Sequence, residues 1–533
     1  MATAVVLLNR VLRLRDHPAL ATAARRADRI IPLFVLDPAI LHRPDGSPGW
    51  GLSRSPNREA FLAETLADLR AGLRDLGADL VLRVGDPAAT AVALAREVKA
   101  ETIHYTDDVT GFALRRQHRL AQLAGQAGVE VCAHPGIGVI EARVLTPTGG
   151  DHFKVFTPYF RVWSGAPRRP LAAIPKRMVL PVGLDPGPEI NDVLAVAPEQ
   201  CSPRRPPGGE TTGRLRWAQW RRSGGLCQYA DNHDDLATDA TSRLSPYLHF
   251  GCLSPLELVM TAQDQPGDGS GGSAGSETDE GPAAFLRQLC WRDFYSQVTA
   301  AFPAIAHTPY RPRPTLAGPT PGRSSEQDGD RDGNRDGNGN RDGNGNGDGG
   351  SAMLGRAEQA AFEAWSSAKT GYPVVDAGMT QLLDEGWMHN RARLITASFL
   401  VKDLDLDWRL GAAHFQRWLT DGDVAQNSAN WQWVAGTGND TRPNRRFNPN
   451  RQAQRFDPDG AYVRRHLPQL DAWAGAKLEG IPGGTAAGKA AGKMLHRLAT
   501  MDAVPLQDRP ADYPEPIVEH RQHTAPRQDL GGQ

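Results

Sequence analysis

The sequence predicts an α/β doubly wound parallel-sheet N-terminal domain followed by an all-helical C-terminal domain. Three observations carry that prediction. Apolar, β-branched runs recur through the first 135 residues with helix-like segments between them. From about residue 226 nearly every periodic segment has helical spacing. The 533 residues suffice for two or three domains with real cores.

In chain order, the strand-like runs are Val5–Leu8, Ile30–Leu36, Leu80–Val84, Thr102–Tyr105 and Val129–Cys132. The clearest intervening helix is "REAFLAETLADLRAGLRDLG", with Ala, Leu, Glu and Arg at helical spacing. No GxGxxG follows the first run, so an ordinary dinucleotide site there is unsupported. Residues 1–135 are therefore assigned to the α/β domain. Residues 136–225, rich in Pro, Arg and Gly, read as a connection. The helical domain is placed at 226–525, with "PAAFLRQLCWRDFYSQVTAAF" and "NRARLITASFLVKDL" among its helices, and residues 526–533 form a tail.

Two low-complexity segments, 264–281 and 317–352, interrupt the helical domain. The second contains "RDGNRDGNGNRDGNGNGDGG". Calcium-binding repeats need an apolar residue in each unit, and this tract has none, so it reads as a solvated insertion. The two segments carry charges of −5 and −3, so the overall −1 becomes +7 without them. Seven arginines against two aspartates in residues 441–466 mark a surface suited to phosphates or simply to solvent. Five scattered cysteines with no CxxC pair point to a reducing compartment, with neither a disulfide framework nor a metal site. The amino terminus has no charged region before a short apolar run, so a soluble cytoplasmic protein without a membrane span is expected.

Four segments carry the chemistry. "DGDVAQNSANWQWVAGTGND", 421–440, packs three aspartates, three asparagines, two glutamines and two tryptophans after an amphipathic helix, a mixture suited to a large, flat, polar ligand held against a core. "ATSRLSPYL" offers Thr241, Ser242 and Ser245 where a helix begins, for capping or for a phosphate. "QLCWRDFYSQV" sets Gln288, Trp291, Arg292 and Tyr295 on one helical face, which an ordinary amphipathic helix would also do. In "HNRAR", Arg393 lies near the core edge and needs a carboxylate, with Asp421 the candidate.

Together with "RVLRLRDHPAL", "TGYPVVDAGMTQL", "GWMHNRAR" and "RFNPNRQAQRFDPDG", these segments resemble the photolyase/cryptochrome family over nearly the whole chain. The likeness is to members that repair cyclobutane pyrimidine dimers in DNA. It implies a helical domain that binds FAD in a folded form. Tyr229, Thr241, Ser242, Arg243, Leu244 and Ser245 would hold the phosphates, and Arg292 and Gly422 would also contact the cofactor. Arg393 and Asp421 would pair beside the isoalloxazine, Asp423 would line it, and Asn427 would face flavin N5. Trp431 and Trp408 match two tryptophans of an electron-transfer chain, whereas the outer position holds Gly355. Trp291 and Trp433 match aromatics that pack on the flipped-out lesion. His233, Gln288, Tyr295, Asn390, Arg391 and Gln452 match other lesion or DNA contacts. Three of these positions depart from the commonest pattern: Gln288 stands for a glutamate, His233 for an arginine and Leu394 for a methionine.

The implied reaction is light-driven electron donation from reduced FAD to the dimer, which splits it, in a monomeric enzyme acting on UV-damaged DNA. The α/β domain is expected to house an antenna, 8-hydroxy-5-deazaflavin or otherwise methenyltetrahydrofolate. With no cysteine after Cys290, the iron–sulfur subclass is not expected. The competing readings are a cryptochrome-type blue-light receptor binding FAD without repair, and an electron-transfer flavoprotein with no DNA role.

Overall fold

The computed structural model describes residues 1–41, 54–264, 280–311, 354–439, 445–477, 485–500 and 504–520. Most of both low-complexity segments, residues 441–444 of the basic stretch and the tail at 526–533 lie outside the described residues.

Five strands form one parallel sheet: β1 (Thr3–Leu8), β2 (Arg29–Leu36), β3 (Val81–Val84), β4 (Thr102–Thr106) and β5 (Glu130–His134). Their order is β3-β2-β1-β4-β5. β1 is buried throughout and β2 nearly so, which is why both read as unbroken apolar runs rather than alternating ones. Helices cover both faces. Pro56–Asp75 opens on Ser55, whose hydroxyl accepts from Arg58 N, and Pro87–Glu97 opens on Asp86 in the same way. The sheet order reverses between β1 and β4, so the loops after these two strands diverge and leave a crevice at their carboxyl ends.

The segment at 136–225 does more than connect. It carries the helices Phe156–Gly165 and Glu210–Arg222, and Trp163 and Trp217 enter one core with Phe285, Leu289 and Phe294 of the Glu280–Ala301 helix. Buried Asp293 ties the segment down, accepting from the N–H groups of Val139 and Ile140 and from Trp163 Nε1. A second helical core gathers Trp365, Met379, Phe399, Phe415 and Trp431. The run "NRARLITASFLVKDL" does not continue as one α-helix: Asn390–Ser398 passes into a π turn over Phe399–Asp403. Among the described residues, no helix is long and apolar enough to cross a membrane.

Gly411 shows how closely this second core is packed. A Cβ there would run into the Trp431 indole and the Leu400 side chain. Gly411→Ala is expected to cost about 1–3 kcal/mol through overpacking, despite its helix position. Urea unfolding would measure it, and unchanged stability would show that Trp431 can move aside.

Candidate functional site

The turn between the Trp408–Trp418 and Val424–Ala435 helices, Leu419 to Asp423, supplies two buried aspartates. Arg393 Nη2 donates to Asp421 Oδ2 at 2.8 Å, and Arg393 Nε donates to the Met388 carbonyl. Asp421 Oδ1 is buried without a hydrogen-bond partner. An orphaned buried carboxylate oxygen is costly, so this atom is fitted to an incoming N–H. Gly422 lies against the guanidinium of Arg58, which would stand 2.7 Å from a Cβ there.

Asp423 is differently committed. Its Oδ1 accepts from Gln426 N at 2.9 Å and so caps the Val424–Ala435 helix. Its Oδ2 accepts from Arg10 Nη2, and His249 Nδ1 stands 3.6 Å away, at ion-pair distance only. Burial would raise the Asp423 pKa, but Arg10, His249 and the cap outweigh it and hold the carboxyl well below its usual range. One turn on, Asn427 Nδ2 donates to Ala412 O at 2.9 Å and to Gln416 Oε1 at 3.3 Å. With its amide nitrogen so occupied, Asn427 offers Oδ1 as an acceptor.

A second group of polar atoms lies around the start of the Ser245–His249 helix. Thr241 Oγ1 is buried without a partner. Ser242 gives its carbonyl to Arg216, and Ser245 Oγ accepts from Trp387 Nε1 at 3.1 Å. Arg243 takes a left-handed φ of 53°, a strained choice for a side chain of its size. It is held there by Glu385 and Asp239 and lies 4.2 Å over the Trp387 ring. Leu244 and Tyr229 are buried in the core behind it. Arg292, grouped with these residues by sequence, donates to the carbonyls of Ile137 and Leu248 and so secures the connecting segment.

The structure sets the expected lesion contacts in two groups. Trp291 stacks on Phe156 with ring centres 3.6 Å apart and planes 5° apart, and Trp433 stacks on Phe447 with Arg445 over its ring. Both indoles are half-buried, and their helices are joined by Gln426 Nε2 donating to the Arg292 carbonyl. Gln288 is exposed one turn before Trp291, whereas Tyr295 is buried against Phe294 and is not presented at the surface. In the second group, Arg391 donates to Asp234 at 2.5 Å, covers Phe456 and keeps a buried Nε without a partner. His233 adjoins it, its ring held by the Tyr229 carbonyl. Gln452 lies half-buried on the Pro449–Phe456 helix, and Asn390 is exposed.

Trp431 and Trp408 are both buried. Gly355 occupies the N-cap of the Arg356–Ser366 helix. That helix brings Trp365 edge-on to Trp431, with ring centres 6.2 Å apart. Sequence reasoning passed over Trp365, although its helical spacing marks it as the buried side of this segment. It also gave no role to Arg10, the first residue of "RVLRLRDHPAL", since its partner Asp423 lies 413 residues away.

An α/β sheet domain joined to a helical body with such a polar centre defines a two-domain protein built to hold a large polar ligand. Residues 4–176 match the family described as DNA photolyase, and residues 285–529 match the FAD binding domain of DNA photolyase. The chain is 41% identical over 527 residues to a deoxyribodipyrimidine photo-lyase of Streptomyces griseus, covering 97% of each. A bacterial class III photolyase from Agrobacterium tumefaciens superposes with a TM-score of 0.73 at 28% identity, over 98% of this chain and 95% of that one. A Synechocystis cryptochrome gives 0.74 at 26% identity, over 97% of each chain. The chain belongs to the DNA photolyase family, and its helical half is an FAD-binding domain.

Proposed function

We propose that this protein repairs DNA in light, splitting cyclobutane pyrimidine dimers with reduced FAD, as a cytoplasmic monomer. The observation that carries the reading is the pairing of a buried polar centre with half-buried indoles on adjoining helices. The donor set fits FAD. Asp421 Oδ1 and Asn427 Oδ1 are acceptors for the N–H groups of a flat reduced ring, while Thr241, Ser242 and Ser245 surround a place for its phosphates. When bound, reduced FAD supplies the photoexcited electron that opens the cyclobutane ring and then recovers it.

The chain's own residues bind, orient and exclude water. Trp291 has one face committed to Phe156, which stiffens it as a platform for the extruded bases, and Trp433 lies near Phe447 and Arg445 as the second indole. Arg391, His233, Asn390, Gln288 and Gln452 form the rim that meets the strand, aided by the arginines of 445–466. Trp408 and Trp431 are read as donors that restore the reduced cofactor.

The crevice at the sheet's reversal point supports the antenna reading. Arg10 after β1, Asp107 to Thr110 after β4, and Glu141 line a cleft of about 160 Å³, closed on the helical side by Asp423 and Gln426. A planar chromophore edge with polar substituents suits this lining, and 8-hydroxy-5-deazaflavin is the candidate ahead of a folate.

Two observations favour a second reading. Gly355 at the outer donor position and an exposed glutamine at 288 are features that a blue-light receptor without repair activity would tolerate. The two readings separate on an oligonucleotide carrying one thymine dimer, mixed with anaerobically reduced protein. Recovery of intact thymines in blue light and not in darkness is the expected result. No recovery with FAD bound and reduced would move the assignment to the receptor.

A further inference from the structure

Arg10 is the side chain by which the sheet domain reaches the flavin wall. It follows β1, and its guanidinium bridges Asp108, at 3.4 Å, and Asp423 in the helical half. We propose that Arg10 is a positioning residue for the cofactor, fixing both the charge and the direction of Asp423 and, through it, the placement of Asn427. The inference rests on the flavin reading above and goes beyond it by assigning a role to a residue outside the FAD-binding half.

Two lines of geometry support it. Asp423 divides its oxygens between the helix cap and Arg10, so the carboxylate cannot turn without loosening the first turn of the Val424–Ala435 helix. Asn427 is bonded into that turn, donating its backbone N–H to the Asp423 carbonyl at 2.8 Å, and Trp431 and Trp433 follow on the same helix. The second line is charge. Arg10, Arg58, Arg292 and Arg393 stand in this wall against Asp108, Asp421 and Asp423. Burial lowers the pKa of His249, although Asp423 acts the other way, and burial of Glu141 in the adjoining cleft pushes its carboxyl up to about 7. Arg10 is the cation bonded directly to Asp423, so it offsets that carboxylate's charge beside a reduced cofactor bearing negative charge. Without Arg10, the buried Asp423 carboxylate would either oppose that charge or take up a proton.

A plain staple between two domains would use the same contacts, so the test needs readouts that a staple would not move. FAD would be stripped from the full chain and returned to wild type, Arg10→Lys, Arg10→Gln and the double variant Arg10→Gln/Asp423→Asn. The dissociation constant of FAD and its midpoint potential would be measured across pH. Arg10→Gln is expected to weaken FAD binding tenfold or more, move the midpoint to more negative potential and give it a new pH dependence. Arg10→Lys should retain most of the wild-type potential. The double variant should recover the wild-type potential and lose the pH dependence, because both charges are gone, even with the inter-domain bridge broken. An Arg10→Gln protein with wild-type affinity and potential would overturn the proposal. So would a double variant that keeps the shifted potential of Arg10→Gln. Wild-type protein that takes up no FAD would instead overturn the flavin reading itself.

Discussion

Replacing Asp421 with alanine is expected to strip the purified protein of FAD and to lower the stability of the ligand-free chain by about 3 kcal/mol. Asp421 is almost wholly buried and is the carboxylate partner of Arg393. Removing it strands a guanidinium at the core edge, held among the described residues by its bond to the Met388 carbonyl. The figure sits at the low end for breaking a buried pair because a quarter of the Arg393 side chain remains exposed. The loss of cofactor has a separate cause, the removal of the orphaned Oδ1 that awaits an N–H donor. Asp421→Asn separates the two effects. It keeps an acceptor in place and discards the charge, so it should retain part of the FAD while losing stability. The ratio of flavin to protein absorbance reads the first effect, and urea unfolding of the stripped proteins reads the second. An alanine variant that keeps its FAD would remove Asp421 from the cofactor wall.

The sheet was legible because its central strands are buried on both sides and read as continuous apolar runs. The last strand slipped by a residue or two at each end, since Val129 belongs to the turn after left-handed Gly128 and the pairing runs on to His134. The polar centre was legible through composition: a turn with Asp421 and Asp423 leading into a helix with Asn427 and Trp431 is an unusual mixture for a surface loop. Helical spacing was less informative along the Glu280–Ala301 helix. It gives a residue's direction around the axis but not its depth, so Gln288, Trp291 and Tyr295 share a face and yet run from exposed to half-buried to buried. The partners of Arg292 were hidden for a related reason, because only the fold brings the Ile137 and Leu248 carbonyls within its reach. Arg10 and Trp365 lie in segments with a sequence signal, a motif in one case and helical spacing in the other, but their partners depend on tertiary packing alone.

A large pH effect from a single residue is expected at His389. Its ring caps the Asn390–Ser398 helix, Nδ1 accepting from Arg391 N at 3.2 Å, and its Nε2 is buried without a partner. Burial, reinforced by the charges of Arg391, Arg243 and Arg393, lowers its pKa from 6.5 to about 4, although Asp234 acts the other way. The unfolded chain therefore takes up this proton near pH 6.5, whereas the folded chain resists until about pH 4. Stability from this residue is complete above pH 6.5 and drains away as pH falls toward 4. The loss comes to about 2 kcal/mol by pH 5 and about 3 kcal/mol by pH 4. His389→Asn keeps a cap acceptor that cannot titrate, so its stability should hold up in the window where the wild type weakens. The buried carboxyls that titrate in the same range, Asp293 and Asp376 at about 6 and Asp457 at about 7, act alike in both proteins and cancel in the difference. Urea unfolding at half-unit steps from pH 7.5 to 4.5 would measure that difference. Parallel curves would mean that the folded protein accepts the proton on His389 without giving up the cap.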